Sequence, residues 1–166
     1  MSRLAAFRLY KSVHAATAMT GDGAKKFGGR WNHEGYAVVY CSSSLALAQL
    51  ETLVHLHGPL PPDGFESLEL SLPSGCVGTR INVDELEESC SGWRSYPPHV
   101  LLQEMGTDWI ESAASLVMEV PSAVSPSESN FLVNPAHPDF RRIKTKPAVP
   151  VVWDSRLIEL SKGAGA

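Results

Sequence analysis

The stretch "FGGRWNHEGYAVVYCSSSLALAQLETLVHLHG", Phe27 to Gly58, changes its periodicity midway. It opens with a glycine turn signal around Arg30. "AVVYC", Ala37–Cys41, is apolar and β-branched, is bounded by Gly35 and by serines, and reads as a strand. From Ser42 the spacing turns helical, with serines able to cap the start and Gly58 as a stop. At 100° per residue, Ala46, Leu47, Leu50, Leu53 and Val54 make an apolar stripe. Glu51 stands on the border of that stripe. Its carboxylate either faces solvent at the edge of the core or points into a cleft. His55, four residues on, is in reach to pair with it.

Strand signals recur outward from this stretch. "AAFRLY" (Ala5–Tyr10) reads as a first strand. "FESLELSLP" alternates, with Leu68, Leu70 and Leu72 on one side and Ser67, Glu69 and Ser71 on the other. "ASLVMEVPS" (Ala114–Ser122) sets Leu116, Met118 and Val120 on one face, "VPVVWD" (Val149–Asp154) reads as the last strand, and "FRRIKT" as a further one. "HVLLQEMGTDWIES" (His99–Ser112) reads as a helix bent or broken near Gly106, and "VDELEE" as a short helical turn. There is no internal repeat. Many strands without βαβ alternation predict an α+β fold on a mostly antiparallel sheet flanked by helices.

The bulk numbers narrow the function. A chain of 166 residues makes one domain with a real core. A net charge of −4 supplies no bulk attraction to nucleic acid or anionic membrane. "RRIKTK" (Arg141–Lys146) is a local basic exception that reads as a solvated strand edge. Cys41, Cys76 and Cys90 are odd in number and lack metal-ligand spacing, which fits a reducing compartment. Cys41 reads as a small core residue. Arg8 and Lys11 interrupt the apolar region that a signal peptide needs, and no run is long enough for a transmembrane helix, so the expected location is the cytoplasm.

Three segments carry side chains suited to chemistry. "GGRW" lets backbone approach a ligand closely and supplies a guanidinium suited to phosphate, though Gly-Gly-Arg is also an ordinary turn. Tyr40 ends the strand that feeds the Glu51 helix, so Arg30, Tyr40 and Glu51 together offer a phosphate clamp, a stacking surface and a negative charge. "VPSAVSPSESNFLVNPAHPDF" (Val120–Phe140) reads either as an ordered surface loop or as a substrate-contacting one, with Asn130 and Asn134 able to brace its backbone. His137 reads as loop architecture, and Trp109 as a core anchor.

Those segments, with "Q…G..W" between them and "WDSRL" after them, resemble the RES-domain family from Phe7 to Leu157. The arginine, glutamate and serine that give the family its name match Arg30, Glu51 and Ser122. The resemblance implies an ADP-ribosyltransferase-like fold with a split sheet and a single domain over residues 1–160, and the closing "SKGAGA" reads as a flexible tail over 161–166. It implies the toxin half of a bacterial toxin–antitoxin pair that degrades NAD+ and is masked by an Xre-type helix-turn-helix antitoxin. DNA would be reached only through that antitoxin, and a homodimer inside a larger complex is expected. NAD+ would be substrate, with no cofactor and no metal. The family's active-site arginine, tyrosine and glutamate match Arg30, Tyr40 and Glu51. Glu51 would stabilise positive charge on the ribose, Arg30 hold pyrophosphate, and Tyr40 pack against nicotinamide or ribose. Ser122 would hydrogen-bond the substrate or orient Glu51, and Asn130 would join the substrate-binding set. Arg8 is either a second phosphate contact or an exposed strand arginine. Ser127 and Glu128 are left without a role. Transfer of ADP-ribose to a protein, and a catalytically silent antitoxin-binding module, are the alternatives.

Overall fold

The computed structural model describes residues 3–61 and 63–163. In chain order the elements are β1 (Leu4–Lys11), α1 (Asp22–Phe27), β2 (Val39–Ser42), α2 (Leu45–Val54), β3 (Phe65–Leu72), β4 (Val77–Arg80), α3 (Val83–Ser89), α4 (Val100–Ser112), β5 (Val117–Pro121), β6 (Ser129–Val133), β7 (Lys144–Thr145), β8 (Val149–Pro150) and α5 (Ser155–Gly163). Short 3-10 turns cover Ser12–Thr17 and Pro138–Arg142.

The strands form one sheet in the order β4-β5-β6-β2-β1-β3-β7, with β8 also on β3. Only β4 and β5 run parallel among these pairs, so the expectation of an α+β fold on a mostly antiparallel sheet holds. The sheet opens in the middle. β1 pairs with β3 from Leu4↔Leu72 to Lys11↔Phe65, yet meets β2 only at Phe7↔Ser42. That opening is the split, and it lies beside Tyr40.

Both faces of the sheet carry buried side chains. Ala6, Tyr10, Val39, Cys41, Leu70 and Leu72 form the core on one face. Met118, Val120 and Leu132 meet Leu86 of α3 and Leu102 and Trp109 of α4 on the other. Leu116 and Val117 belong to the first core and Met118 and Val120 to the second, so the single-face assignment of Leu116 with Met118 and Val120 is corrected. A smaller cluster joins Leu60, Phe65, Val151 and Trp153 to Leu157 and Ile158 of α5, with the Phe65 and Trp153 rings edge-on at 5.7 Å.

Several local expectations need correction. α2 ends at Val54 with His55 as its C-cap, one turn before Gly58. α4 runs unbroken through Gly106. A Cβ on Gly106 would stand 1.8 Å from the Trp31 carbonyl oxygen, so the glycine serves close approach rather than bending. The segment after Trp153 forms α5, which extends through residues assigned from sequence to a tail; Ser161 Oγ accepts the Leu60 N–H at 2.9 Å. Residues 164–166 lie outside the described residues. β8 is shorter than the strand expected there, and α1 is a helix that the sequence did not predict. No helix among the described residues is long and apolar enough to cross a membrane.

The orientation of α2 is the largest departure. Leu47 and Ala48 are its buried residues, whereas Ala46, Leu50 and Val54 of the expected inward stripe face solvent. Glu51 follows Ala48 and Leu47 by three and four residues, so it lies on the face turned towards β1 and β2.

Candidate active site

Glu51 is placed by the start of its helix. Ser44 caps α2 by accepting the Leu47 N–H at 3.1 Å, which sets the helix directly after β2. The Glu51 carboxylate then reaches two neutral donors. Ser122 Oγ donates to Oε1 at 2.8 Å and Asn130 Nδ2 donates to the same oxygen at 2.6 Å. Ser122, fully buried at the end of β5, is itself fixed because its Oγ accepts the N–H groups of Val124 and Ser125 at 3.1 and 3.0 Å. Asn130 is fixed by Ser42, whose Oγ donates to Oδ1 at 2.8 Å. One carboxylate oxygen is thus held rigidly, while Oε2 accepts no hydrogen bond from the described residues. The residue is half-buried. The Glu51 carboxylate turns towards Ser122 and Asn130 at the edge of the core. His55 does not pair with the carboxylate: its Nδ1 meets the Glu51 backbone carbonyl at 2.7 Å.

Arg30 lies in the turn that follows α1. Its Nη1 donates to the carbonyl oxygens of Trp93 and Ser95 at 2.6 and 3.1 Å, so this guanidinium ties the α3–α4 loop to the turn. Burial lowers its pKa below the ordinary arginine value, and the nearby Glu51 charge opposes that. Tyr40 stands behind the same turn. Its hydroxyl donates to Asn32 Oδ1 at 2.7 Å and accepts the Trp31 N–H at 3.0 Å. Burial pushes its pKa well up, against smaller opposing effects of the Trp31 N–H and the Arg30 charge. The phenol is therefore neutral at physiological pH.

Arg8 is not an exposed strand arginine. It shares its strand face with Ala6 and Tyr10, members of the core that also contains Cys41, and its Nη1 donates to the Tyr40 carbonyl at 2.9 Å across the opening in the sheet. Burial lowers its pKa, and its Nε has no partner. Arg8 thus braces the site from beneath, on the face away from Ser42 and Asn130, and is not brought together with Glu51. Glu128 reaches Ser44 Oγ at 3.4 Å. His137 accepts the Asp139 N–H at 3.1 Å and caps a 3-10 turn, as loop architecture requires. Asn134 likewise braces its loop through Ile110 and Ala136. Two cavities of about 640 and 670 Å³ flank α5, and neither borders Glu51.

Sequence reasoning missed Asn32, Ser42 and Gln103. Asn32 is fully buried, and Gln103 Nε2 on α4 donates to the Gly29 carbonyl at 2.9 Å. The readable signal for Asn32 was its place directly after Gly-Gly-Arg-Trp, where a short amide side chain folds back on its own turn.

Residues 5–154 match the RES domain, a range that contains Arg30, Tyr40, Glu51 and Ser122. The chain is 37% identical over 152 residues to "Toxin Res" of Yersinia enterocolitica serotype O:8 / biotype 1B, covering 91% of this chain and 97% of that protein. It is 38% identical over 147 residues to the "Prs ADP-ribosylating toxin" of Sphingobium sp. (strain YBL2), covering 88% and 90%. In fold it is similar to a chain of the M. tuberculosis MbcT–MbcA toxin–antitoxin complex, with a TM-score of 0.69 at 14% identity, over 98% of this chain and 90% of that one. A domain match across nearly the whole chain, with full-length relatives above 30% identity, means that this protein belongs to the RES domain family.

Proposed function

We propose that this protein is the toxin of a toxin–antitoxin pair and that it depletes NAD+ by cleaving the nicotinamide–ribose bond. The observation that carries the reading is the Glu51 carboxylate, held through one oxygen by Ser122 and Asn130 and without a partner among the described residues at the other, with the Arg30 charge nearby. When the bond breaks, its electron pair leaves with nicotinamide, which departs neutral and needs no proton. Positive charge develops on the ribose as an oxocarbenium ion. A fixed, partly desolvated carboxylate stabilises that charge without reorganising. Water or phosphate then attacks the anomeric carbon, giving ADP-ribose and a proton or ADP-ribose 1″-phosphate. Arg30 supplies positive charge for the pyrophosphate, the Tyr40 ring flanks nicotinamide or ribose, and Ser122 and Asn130 orient Glu51.

The names of the relatives support the toxin role, and the complex that shares the fold supports an antitoxin partner. In this reading the antitoxin is of the Xre type, covers the site and carries any contact with DNA, and the toxin acts in the cytoplasm as a homodimer within the complex. The second reading is transfer of ADP-ribose to a protein, favoured by the ADP-ribosylating toxin among the relatives.

Incubation of the purified protein with NAD+ separates hydrolysis, phosphorolysis and transfer. Free nicotinamide with ADP-ribose signifies hydrolysis, the 1″-phosphate signifies phosphorolysis, and labelled macromolecule signifies transfer. Glu51→Gln should lower the rate at least about a hundredfold while melting as the wild type does. A folded Glu51→Gln protein with full activity would falsify the reading, and a wild-type protein that leaves NAD+ intact would favour a silent antitoxin-binding module.

A further inference from the structure

The turn that carries Arg30 closes around the Tyr40 hydroxyl. A neutral phenol has one proton to donate, and Tyr40 gives it to Asn32 Oδ1 at 2.7 Å while accepting the Trp31 N–H. Asn32 cannot turn away. Its Nδ2 faces three backbone carbonyls, Ala24 at 2.9 Å, His33 at 3.0 Å and Tyr36 at 3.1 Å, which orients Oδ1 towards Tyr40. The Gly29 N–H closes the turn on the Asn32 carbonyl at 3.0 Å, and Gln103 grips the Gly29 carbonyl from α4. The space is full: a Cβ on Gly29 would stand 2.6 Å from the Tyr40 hydroxyl oxygen and 2.8 Å from Asn32 Oδ1. The backbone is therefore held on both sides of Arg30, whose side chain crosses to Trp93 and Ser95 and feels the Glu51 charge.

We infer that the Tyr40 hydroxyl is a positioning group for Arg30: together with Asn32 it clamps the Gly28–Asn32 turn so that the guanidinium reaches the Trp93 and Ser95 carbonyls, and it neither transfers a proton nor touches the substrate. Donation to substrate would require the hydroxyl to abandon a buried amide oxygen that has no other donor among the described residues. The kinetic consequences rest on the NAD+ reading above, because they are measured on that reaction.

The test is a double-mutant cycle with a chemical probe beside it. For NAD+ consumption, Tyr40→Phe keeps the ring, and should raise KM about tenfold while kcat changes less than about threefold. In the Arg30→Ala background the same substitution should change KM by less than about twofold, because its effect is routed through the missing side chain. An equal penalty in both backgrounds means that the hydroxyl acts on substrate directly and overturns the inference. Gly29→Ala presses on the same contact while leaving every hydrogen-bonding group in place, and should repeat the Tyr40→Phe phenotype; a wild-type KM there also overturns it. Labelling of Arg30 by phenylglyoxal, read by mass spectrometry, needs no turnover. It should be several-fold faster in whichever of the two variants folds, and an unchanged rate overturns the clamp. Wild-type protein inert towards NAD+ would instead remove the proposed activity, leaving the labelling result to decide the clamp.

Discussion

Two neutral donors hold the Glu51 carboxylate through one of its oxygens. Ser122 and Asn130 offset part of the cost of taking its charge out of water, and each hydrogen bond to a charged acceptor contributes about 1.5–3 kcal/mol. Asn130→Asp changes almost nothing in shape but replaces a donor by a second carboxylate at the 2.6 Å contact. Two carboxylates so close do not both ionise. If ionised Glu51 stabilises the ribose, the variant should lose at least about tenfold in kcat at neutral pH and regain part of it as pH rises. A kcat–pH profile parallel to that of the wild type would remove Asn130 from this role. Arg30→Ala removes a charge-assisted strap as well as a proposed phosphate contact, so NAD+ binding should weaken by about 1.5–3 kcal/mol, read as KM or by calorimetry in the Glu51→Gln background.

At the scale of elements, α2 and α4 do the positioning, and their small residues set the distances. α4 lies against the Arg30 turn closely enough that a methyl group at Gly106 meets the Trp31 carbonyl oxygen, while Thr107 Oγ1 accepts the His33 N–H at 3.1 Å. Gly106→Ala should therefore cost about 3 kcal/mol or more, or displace the turn and take NAD+ consumption with it; the urea midpoint and the rate check both. Gly23 provides the contrast. It lies in α1 with open space around its Cβ position, so Gly23→Ala should be neutral or stabilise by about 0.5–1 kcal/mol. A destabilising Gly23→Ala would mean that α1 is held by something other than its local conformation.

At the scale of the whole molecule, burial of titratable groups on both faces of the sheet links folding to pH. Burial is the main reason that the Cys41 thiol is pushed up to about 12, and the Arg8 charge only partly opposes it. The folded state therefore favours the neutral thiol. In the unfolded chain the thiol ionises near pH 8.5. The stabilisation is complete below that pH and is lost as pH climbs towards 12. Between about pH 8 and about pH 10 the urea midpoint should fall, and Cys41→Ala should flatten that fall after allowance for its lost packing. An identical slope in the variant would assign the alkaline loss to other groups. For the same reason Cys41 should resist alkylation until the protein unfolds. By itself the sequence determined the local: the alternating Leu68, Leu70 and Leu72, a serine cap ahead of α2 and the α+β class; it also offered Arg30, Tyr40, Glu51 and Ser122 as candidates through the order of a family motif. It did so because caps and strand alternation act within a few residues and a motif is a property of order along the chain. Only the tertiary structure decided which face of α2 turns inward, since leucines lie on several sides of that helix and periodicity alone does not choose among them. The choice is made by donors 71 and 79 residues away, Ser122 and Asn130. It likewise decided that Arg30 ties down the Trp93–Ser95 loop, that Arg8 braces the sheet from the opposite face, and that Gly106 serves contact rather than bending. Each of these is set by atoms distant in sequence meeting at a few ångströms, where hydrogen-bond geometry and excluded volume outweigh local preference.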